Sequence, residues 1–327
     1  MQGEKEKSLF VLDLQDGQEF TEFFLAKSVN IKKDSRQKNY LDMTLADSTG
    51  DINAKKWELV DEEIPGLEKL KEGDVVKVKG LVSSWNGSKQ VKIARIRKGV
   101  ETDPVEMFQL VKTAPEKSRD MYDYIYERAS RIKDEDYRGI CIDRLTENRE
   151  KLMYYPAASK NHHAIYGGLL YHIKRMLMNG DLMCTVYTGL DADLVATGVI
   201  LHDMEKINEI ESNSYGVSPG YFTEGMLLGH IVQGVRSIDQ YAREHNMPAE
   251  KSMLLQHMIL SHHYEPEYGS PKRPMFPEAE ILHHLDMIDA RMYDMFDAMA
   301  GVEPGDFSDK VWTLDNRKVY VPKKDQE

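Results

Sequence analysis

The sequence predicts two domains of different class, an N-terminal all-β barrel followed by an all-α helical bundle. Three observations carry that prediction. Between residues 8 and 100, apolar and polar residues alternate with the two-residue period of strands. From Pro115 to Ala300 the apolar positions recur instead at helical spacing, punctuated by Gly, Asn and Pro. A chain of 327 residues is long enough for two domains of ordinary size.

In the first domain, Leu41, Met43 and Leu45 point one way in YLDMTLA, while Asp42 and Thr44 point the other. The turn residues of DSTGD follow, and INAKKW resumes as a strand. The charged, Leu-spaced stretch from Glu58 to Lys71 reads as a short helix. VVKVKGLVSSW and KQVKIARIRK form two further strands, with Asn86-Gly87 between them as a strong tight-hairpin signal. Strands, then a helix, then a hairpin fit a five-stranded barrel of the OB type. ETDPVEMFQLVKTAPEK reads as a linker running into a helix, with Pro115 in its first turn. LLYHIKRMLM, ADLVATGVILHDM, FTEGMLLGHIVQGVRSIDQYA, KSMLLQHMILSHH and EAEILHHLDMIDARMYDMF continue the helical domain. FSDKVWTLDNRKVYVPKK has strand-like residues but no clear partner. The expected organisation is a barrel over 1–100, linker and leading helices over 101–150, a helical domain over 151–300 and a tail over 301–327.

The net charge of -12 argues superficially against a nucleic-acid partner. Residues 1–100, however, hold 18 Lys+Arg against 17 Asp+Glu, and the remainder holds 25 against 38. The barrel alone is therefore electrostatically tolerant of a phosphate backbone. No stretch approaches the ~18 uninterrupted apolar residues that span a membrane. The charged N-terminus MQGEKEKSLF lacks the apolar core of a signal peptide. Cys141 and Cys184 belong to no CxxC pair and read as buried free thiols, so a cytoplasmic protein is expected.

The chemistry lies in the histidines. His172 stands in GGLLYHI, His202 and Asp203 are adjacent in ILHDMEK, and His230 stands in LLGHIV. His262 and His263 form a doublet in LSHHY, and Asp286 lies in ILHHLDMIDAR. A lone histidine on an apolar helix face is usually a satisfied core residue. The His202-Asp203 pair differs, because it ends the apolar run VATGVIL, where a buried acid is costly without a partner. A divalent cation is the simplest partner, and imidazole with carboxylate is a ligand set that suits one. The 262–263 doublet ends a second apolar helix in the same manner. Such a metal ordinarily activates water for attack on phosphorus or carbon.

The order H…HD…H…HH…D on a helical domain resembles the HD superfamily of metal-dependent phosphohydrolases, over roughly residues 155 to 295. That resemblance implies His172, His202, Asp203 and Asp286 as metal ligands. It also implies His230, His262 and His263 as the larger set of members that hold two ions, with Asp203 bridging them. Asp289, three residues after Asp286 on the same helix face, is the rival ligand. Adding the barrel, NHHAIYGGLLYHI, EGMLLGHI, EYGSPKRP and EAEILHHLDMIDARM, the whole chain is similar to the YhaM-type 3′-to-5′ exoribonucleases. This implies hydrolysis of single-stranded RNA, and some single-stranded DNA, at two divalent ions. Manganese is the favoured ion, with magnesium, iron, zinc and cobalt as alternatives. The chain departs from the HD pattern at Glu205 and Tyr264, where Gly is common.

On that basis Asp203, Lys206 and His163 are the candidate catalytic residues. Lys206 would neutralise a phosphate oxygen, or else serve only as a helix C-terminal cation. His163 would donate to the scissile phosphate or leaving oxygen. Lys160, Arg273 and Arg291 are weaker candidates for gripping the phosphate backbone. On the barrel, Lys32, Lys33, Arg36, Tyr40, Trp85, Lys89 and Lys92 are candidates for holding a strand by charge and stacking. Phe23, Phe24 and Trp57 are expected to be barrel core. The stripe Lys89, Lys92, Arg95, Arg97 and Lys98 reads equally as a solvated edge that discourages strand-to-strand association. Two other functions compete: an HD phosphohydrolase for nucleotides or cyclic dinucleotides, and a non-catalytic nucleic-acid-binding protein. Nothing in the sequence fixes the oligomeric state, and a homo-oligomer stays open.

Overall fold

The computed structural model describes residues 7–60, 62–85, 88–100, 102–159 and 164–323. Asn86, Gly87, Lys160, His162 and His163 lie outside the described residues, as does the side chain of Trp85. The chain divides into two compact units, Met1–Thr113 and Ala114–Glu327.

In the first unit, five strands form a closed barrel. They are β1 (Glu19–Lys33), β2 (Asn39–Asp47), β3 (Gly50–Lys56), β4 (Val75–Trp85) and β5 (Ser88–Lys98), with helix α1 (Ile64–Leu67) between β3 and β4. The order round the barrel is β1-β2-β3-β5-β4, and β3 with β5 is the parallel pair. Long β1 serves two neighbours. Its first half pairs with β4 and its second with β2, and a bulge between Ala26 and Ser28 bends it from one to the other. Alternation sends Leu41, Met43 and Leu45 inward, where they meet Phe24, Val76, Val78 and Val91. Phe23 is buried too, beneath Lys77 and Arg97, whose charges lie 4.7 and 5.9 Å from its ring. A short helix α2 (Met107–Leu110) closes the unit, capped reciprocally by Glu106 and Gln109.

The second unit is helical: α3 (Ser118–Ser130), α4 (Glu135–Glu147), α5 (Arg149–Leu152), α6 (Gly168–Val186), α7 (Ala192–Leu201), α8 (Lys206–Glu209), α9 (Thr223–His245), α10 (Ala249–Ser261) and α11 (Pro277–Met299). Helix α7 is the centre of the bundle. Every residue from Leu194 to Leu201 is buried, and α3, α4, α6, α10 and α11 all pack on it. The two-residue strands β6 (Ile210–Glu211) and β7 (Gly220–Tyr221) form a small hairpin between α8 and α9.

Three expectations change. Pro115 precedes α3 by three residues and is not in its first turn. The tail finds its partner in itself, through the bridges Phe307↔Tyr320 and Val311↔Arg317. Cys141 is buried but Cys184 only partly so. No helix among the described residues is long and apolar enough to cross a membrane.

Candidate metal centre

Five helix ends and faces bring the predicted residues to one place. His172 comes from the second turn of α6, and His202 and Asp203 from the turn that ends α7. His230 comes from α9, His262 and His263 from the end of α10, and Asp286 from α11. Ligand atoms of Asp203, His230, His262 and His263 lie within 4.8 Å of one another, and so do those of His172, His202 and Asp203. Asp203 belongs to both groups.

The five imidazoles share one arrangement. In each, Nδ1 faces an oxygen that can only accept: Asp289 Oδ2 for His172 at 2.8 Å, and Glu209 Oε2 for His230 at 2.7 Å. Backbone carbonyls do the same elsewhere. Val199 O holds His202 at 2.8 Å, Ile259 O holds His262 at 2.7 Å and Tyr268 O holds His263 at 2.7 Å. Nδ1 therefore carries a proton in each, and Nε2 faces inward. Anchoring of this kind fixes the orientation and basicity of metal-binding histidines.

The inward atoms fit a cation and little else. Asp203 Oδ1, His230 Nε2 and His262 Nε2 are buried without a hydrogen-bond partner. Asp203 Oδ1 lies 3.4 Å from His230 Nε2 and 3.8 Å from His262 Nε2, with no hydrogen bond to either. Buried polar atoms are otherwise almost always satisfied. A shared divalent ion would give all three atoms a partner.

Charge in the site follows from burial and neighbours. Burial and the adjacent His263 and His202 hold His262 well below the usual histidine range, so it is neutral, as a ligand must be. Burial likewise lowers His263. Burial opposes charge on His172 too, but the Asp286 and Asp289 carboxylates outweigh it and raise its pKa to about 10. Its Nε2 lies 3.3 Å from both His202 Nε2 and Asp286 Oδ1, so one proton there joins groups that would otherwise repel. Burial would raise the carboxyl of Asp203, yet His202, Lys206 and His230 hold it well below the carboxylate range. The Lys206 ammonium, 2.7 Å from Asp203 Oδ2, stays charged despite burial because of that contact. It begins the four-residue helix α8 and, in so short a helix, also lies in its last turn.

The two aspartates of α11 lie on opposite sides of His172. Asp286 faces Nε2; Asp289 holds Nδ1 and also forms an ion pair with Arg175, Nε to Oδ1 at 2.7 Å. Glu209 and Asp289 thus hold candidate ligands and Arg175 pairs with Asp289; of the three only Asp289 was legible beforehand. Glu209 lies 21 residues before His230 and announces itself by no spacing. Tyr264 takes a left-handed backbone (φ 68°), which explains why Gly suits this position. Its ring lies 4.7 Å from the His283 ring and 4.9 Å from the Arg273 guanidinium.

The barrel candidates divide. Phe23 and Phe24 are core, as expected. Trp57 is not: it is 43% exposed and stacks on Tyr40 with ring centroids 4.6 Å apart. The Lys55 ammonium lies 6.0 and 5.7 Å from the two rings. Lys32 is paired with Asp42 at 2.5 Å, and Lys89 donates to Leu14 O at 2.6 Å. Lys33, Arg36 and Lys92 are exposed. In the helical unit Arg273 is paired with Glu265 and Arg291 with Asp315.

The family model of an OB-fold nucleic acid binding domain matches residues 24–98, and that of an HD domain matches residues 169–291. Barrel and histidine–aspartate centre together define a metal-dependent phosphohydrolase that carries a nucleic-acid-binding domain. The chain is 38% identical over 314 residues to the 3′-5′ exoribonuclease YhaM of Geobacillus sp. (strain WCH70), covering 95% of this chain and 94% of that one. It is 37% identical over 308 residues to the protein of that name from Bacillus velezensis, covering 94% and 96%. The chain belongs to the YhaM family of 3′-5′ exoribonucleases.

Proposed function

We propose that this protein hydrolyses single-stranded RNA from the 3′ end, with single-stranded DNA as a second substrate, at a pair of divalent ions of which manganese is preferred. The observation that supports the pair is Asp203, whose carboxylate is common to both ligand groups. His230, His262 and His263 would complete one site; His172, His202 and Asp286 would complete the other. Divalent ions held there supply positive charge that polarises the phosphoryl oxygens and lowers the pKa of water.

The chain's own groups do the rest. Lys206, kept positive by Asp203, offsets negative charge that builds on a phosphate oxygen during attack. Glu209, Asp289 and three backbone carbonyls prevent the imidazoles from rotating away. On the barrel, Tyr40 and Trp57 present a stacked aromatic pair with Lys55 beside it, a sequence-tolerant way to hold unpaired bases.

The test is a product ladder. With manganese, a 5′-labelled single-stranded RNA should shorten one nucleotide at a time and release nucleoside monophosphates. Cleavage of free nucleotides or cyclic dinucleotides alone would assign the site to small substrates. RNA binding without any cleavage would make the centre structural.

A further inference from the structure

We propose that Tyr221, Phe222, Met226, Leu227 and Tyr268 form an apolar rim that takes the nucleobase of the 3′-terminal nucleotide beside the His230 and His263 ligands. The inference rests on the exonuclease reading and adds where the departing nucleotide lies.

Each part of the rim is carried by backbone that positions one of those two ligands. Phe222 N donates to Glu209 O at 3.0 Å, and the Glu209 carboxylate holds His230. Gly225 lets this segment press close, since a Cβ there would lie 2.3 Å from Glu209 O. Gly229, left-handed at φ 68° and ψ 160°, then breaks the helix, and His230 follows. Met226 therefore lies in the turn before the break, four residues ahead of the ligand. Tyr268 stands on the other side, its carbonyl oxygen holding His263 Nδ1. The next residue, Gly269, backs onto Ile231, the residue after His230. The His230 and His263 rings themselves are 5.2 Å apart.

These side chains are exposed, and of their polar atoms only the Tyr221 hydroxyl has a hydrogen-bond partner among the described residues, Ser159 Oγ at 3.0 Å. Met226 is 76% exposed, Leu227 77% and Tyr268 72%, and Tyr221 and Phe222 are also exposed. Clustered exposed apolar surface next to a catalytic centre marks a binding surface. Charge decides what binds. Glu211 and Glu267 lie exposed on the same two segments, so this edge repels phosphate and favours the uncharged base. An acidic edge also discourages a strand from continuing past it, as an enzyme that works from an end requires. Flat rings and flexible Met and Leu side chains accept any base.

The test is a cycle between rim and base. Met226→Ala/Leu227→Ala and Tyr268→Ala proteins are compared with the unaltered chain on two RNAs that differ only in an abasic 3′-terminal nucleotide. The unaltered protein should remove the intact end about tenfold faster or more, as loss of one stacked base predicts. The variants should lose most of that preference while keeping their manganese content, and Leu227→Met should restore it. Equal slowing on both RNAs, or an unaltered protein indifferent to the base, overturns the proposal. So does a change of oligomeric mass in the variants, which would make the rim an interface between copies. If the unaltered protein cleaves neither RNA, the exonuclease reading fails instead. The rim is then read by quenching of a 3′-terminal 2-aminopurine on binding, and no difference between unaltered and variant proteins overturns it.

Discussion

Loading the centre with metal should expel a proton from His172. Asp286 and Asp289 outweigh burial and raise this imidazole to about 10, and its Nε2 faces the centre, where an ion would take the proton's place. Four other ligands have shifts that leave them no proton to give near neutrality. His262 and His263 are held neutral, and Asp203 and Asp286 are held ionised. Lys206 is raised and keeps its charge. Between pH 6.5 and 8.5 the apparent affinity should then climb tenfold per pH unit, a hundredfold in all. That corresponds to about 2.7 kcal/mol, at 1.36 kcal/mol per unit. Anaerobic calorimetric titration of manganese at three pH values measures this directly. Repeating it in buffers of different ionisation enthalpy counts the protons, and the count should be close to one. Affinity that is flat over this range, with no proton released, would mean that His172 is already neutral and that the carboxylates do not act on it as argued.

Asp289→Asn should lower metal affinity about 10–100-fold without unfolding the bundle, since the His172 anchor and the Arg175 partner lose their charge; metal titration checks it, and it should also flatten the pH slope. Asp203→Ala should abolish RNA turnover and cut metal content, because the carboxylate common to both ligand groups is lost; full activity in the ladder assay would remove the HD reading. Trp57→Ala should raise the KM for a long RNA several-fold while leaving that for a dinucleotide nearly unchanged, in keeping with about 1–3 kcal/mol per stacked base. With chelator present, the melting temperature should fall as pH rises from 7 to 9. The raised His172 makes the folded state bind the extra proton, so its stabilisation is complete below pH 6.5 and fades by about 1.4 kcal/mol per unit towards 10. A melting temperature that rises over that window would contradict the assignment.

What the sequence disclosed depended on whether physical necessity is local. A carboxylate at the end of a helix as apolar as VATGVIL needs a partner wherever the helix goes, so Asp203 was legible alone. Strand parity was legible too, and carried one strand further it places Trp57. In β3, Ile52 and Ala54 point inward, so parity places Trp57 outward with Lys55. The register that sets Leu41 opposite Lys56 then brings Tyr40 across from Trp57. Trp57 is expected in the barrel core, and the pleat places it outside. Glu209 was not legible, because its need is met only in three dimensions. A short helix, a two-residue hairpin and a kink at Gly229 together carry the chain back so that Glu209 meets His230.

The same geometry explains why the ligands lie at helix ends. A histidine inside a helix points along a fixed direction, whereas one just past the last turn can set Nδ1 against a carbonyl that the helix leaves unpaired. His202 on Val199 O and His262 on Ile259 O are the same three-residue step, at 2.8 and 2.7 Å. Each apolar helix therefore supplies two things at once, a carbonyl that fixes the tautomer and a stop that aims Nε2 inward, and at His262 burial also keeps the imidazole neutral. His172 and His230, which lie within helices, lack such a carbonyl and take Asp289 and Glu209 in its place. Carboxylate anchors fall on the mid-helix ligands and carbonyl anchors on the terminal ones. Asp289→Asn and Glu209→Gln should accordingly weaken metal binding through His172 and His230 alone, and leave the Nδ1 protons of His202 and His262 unchanged by NMR.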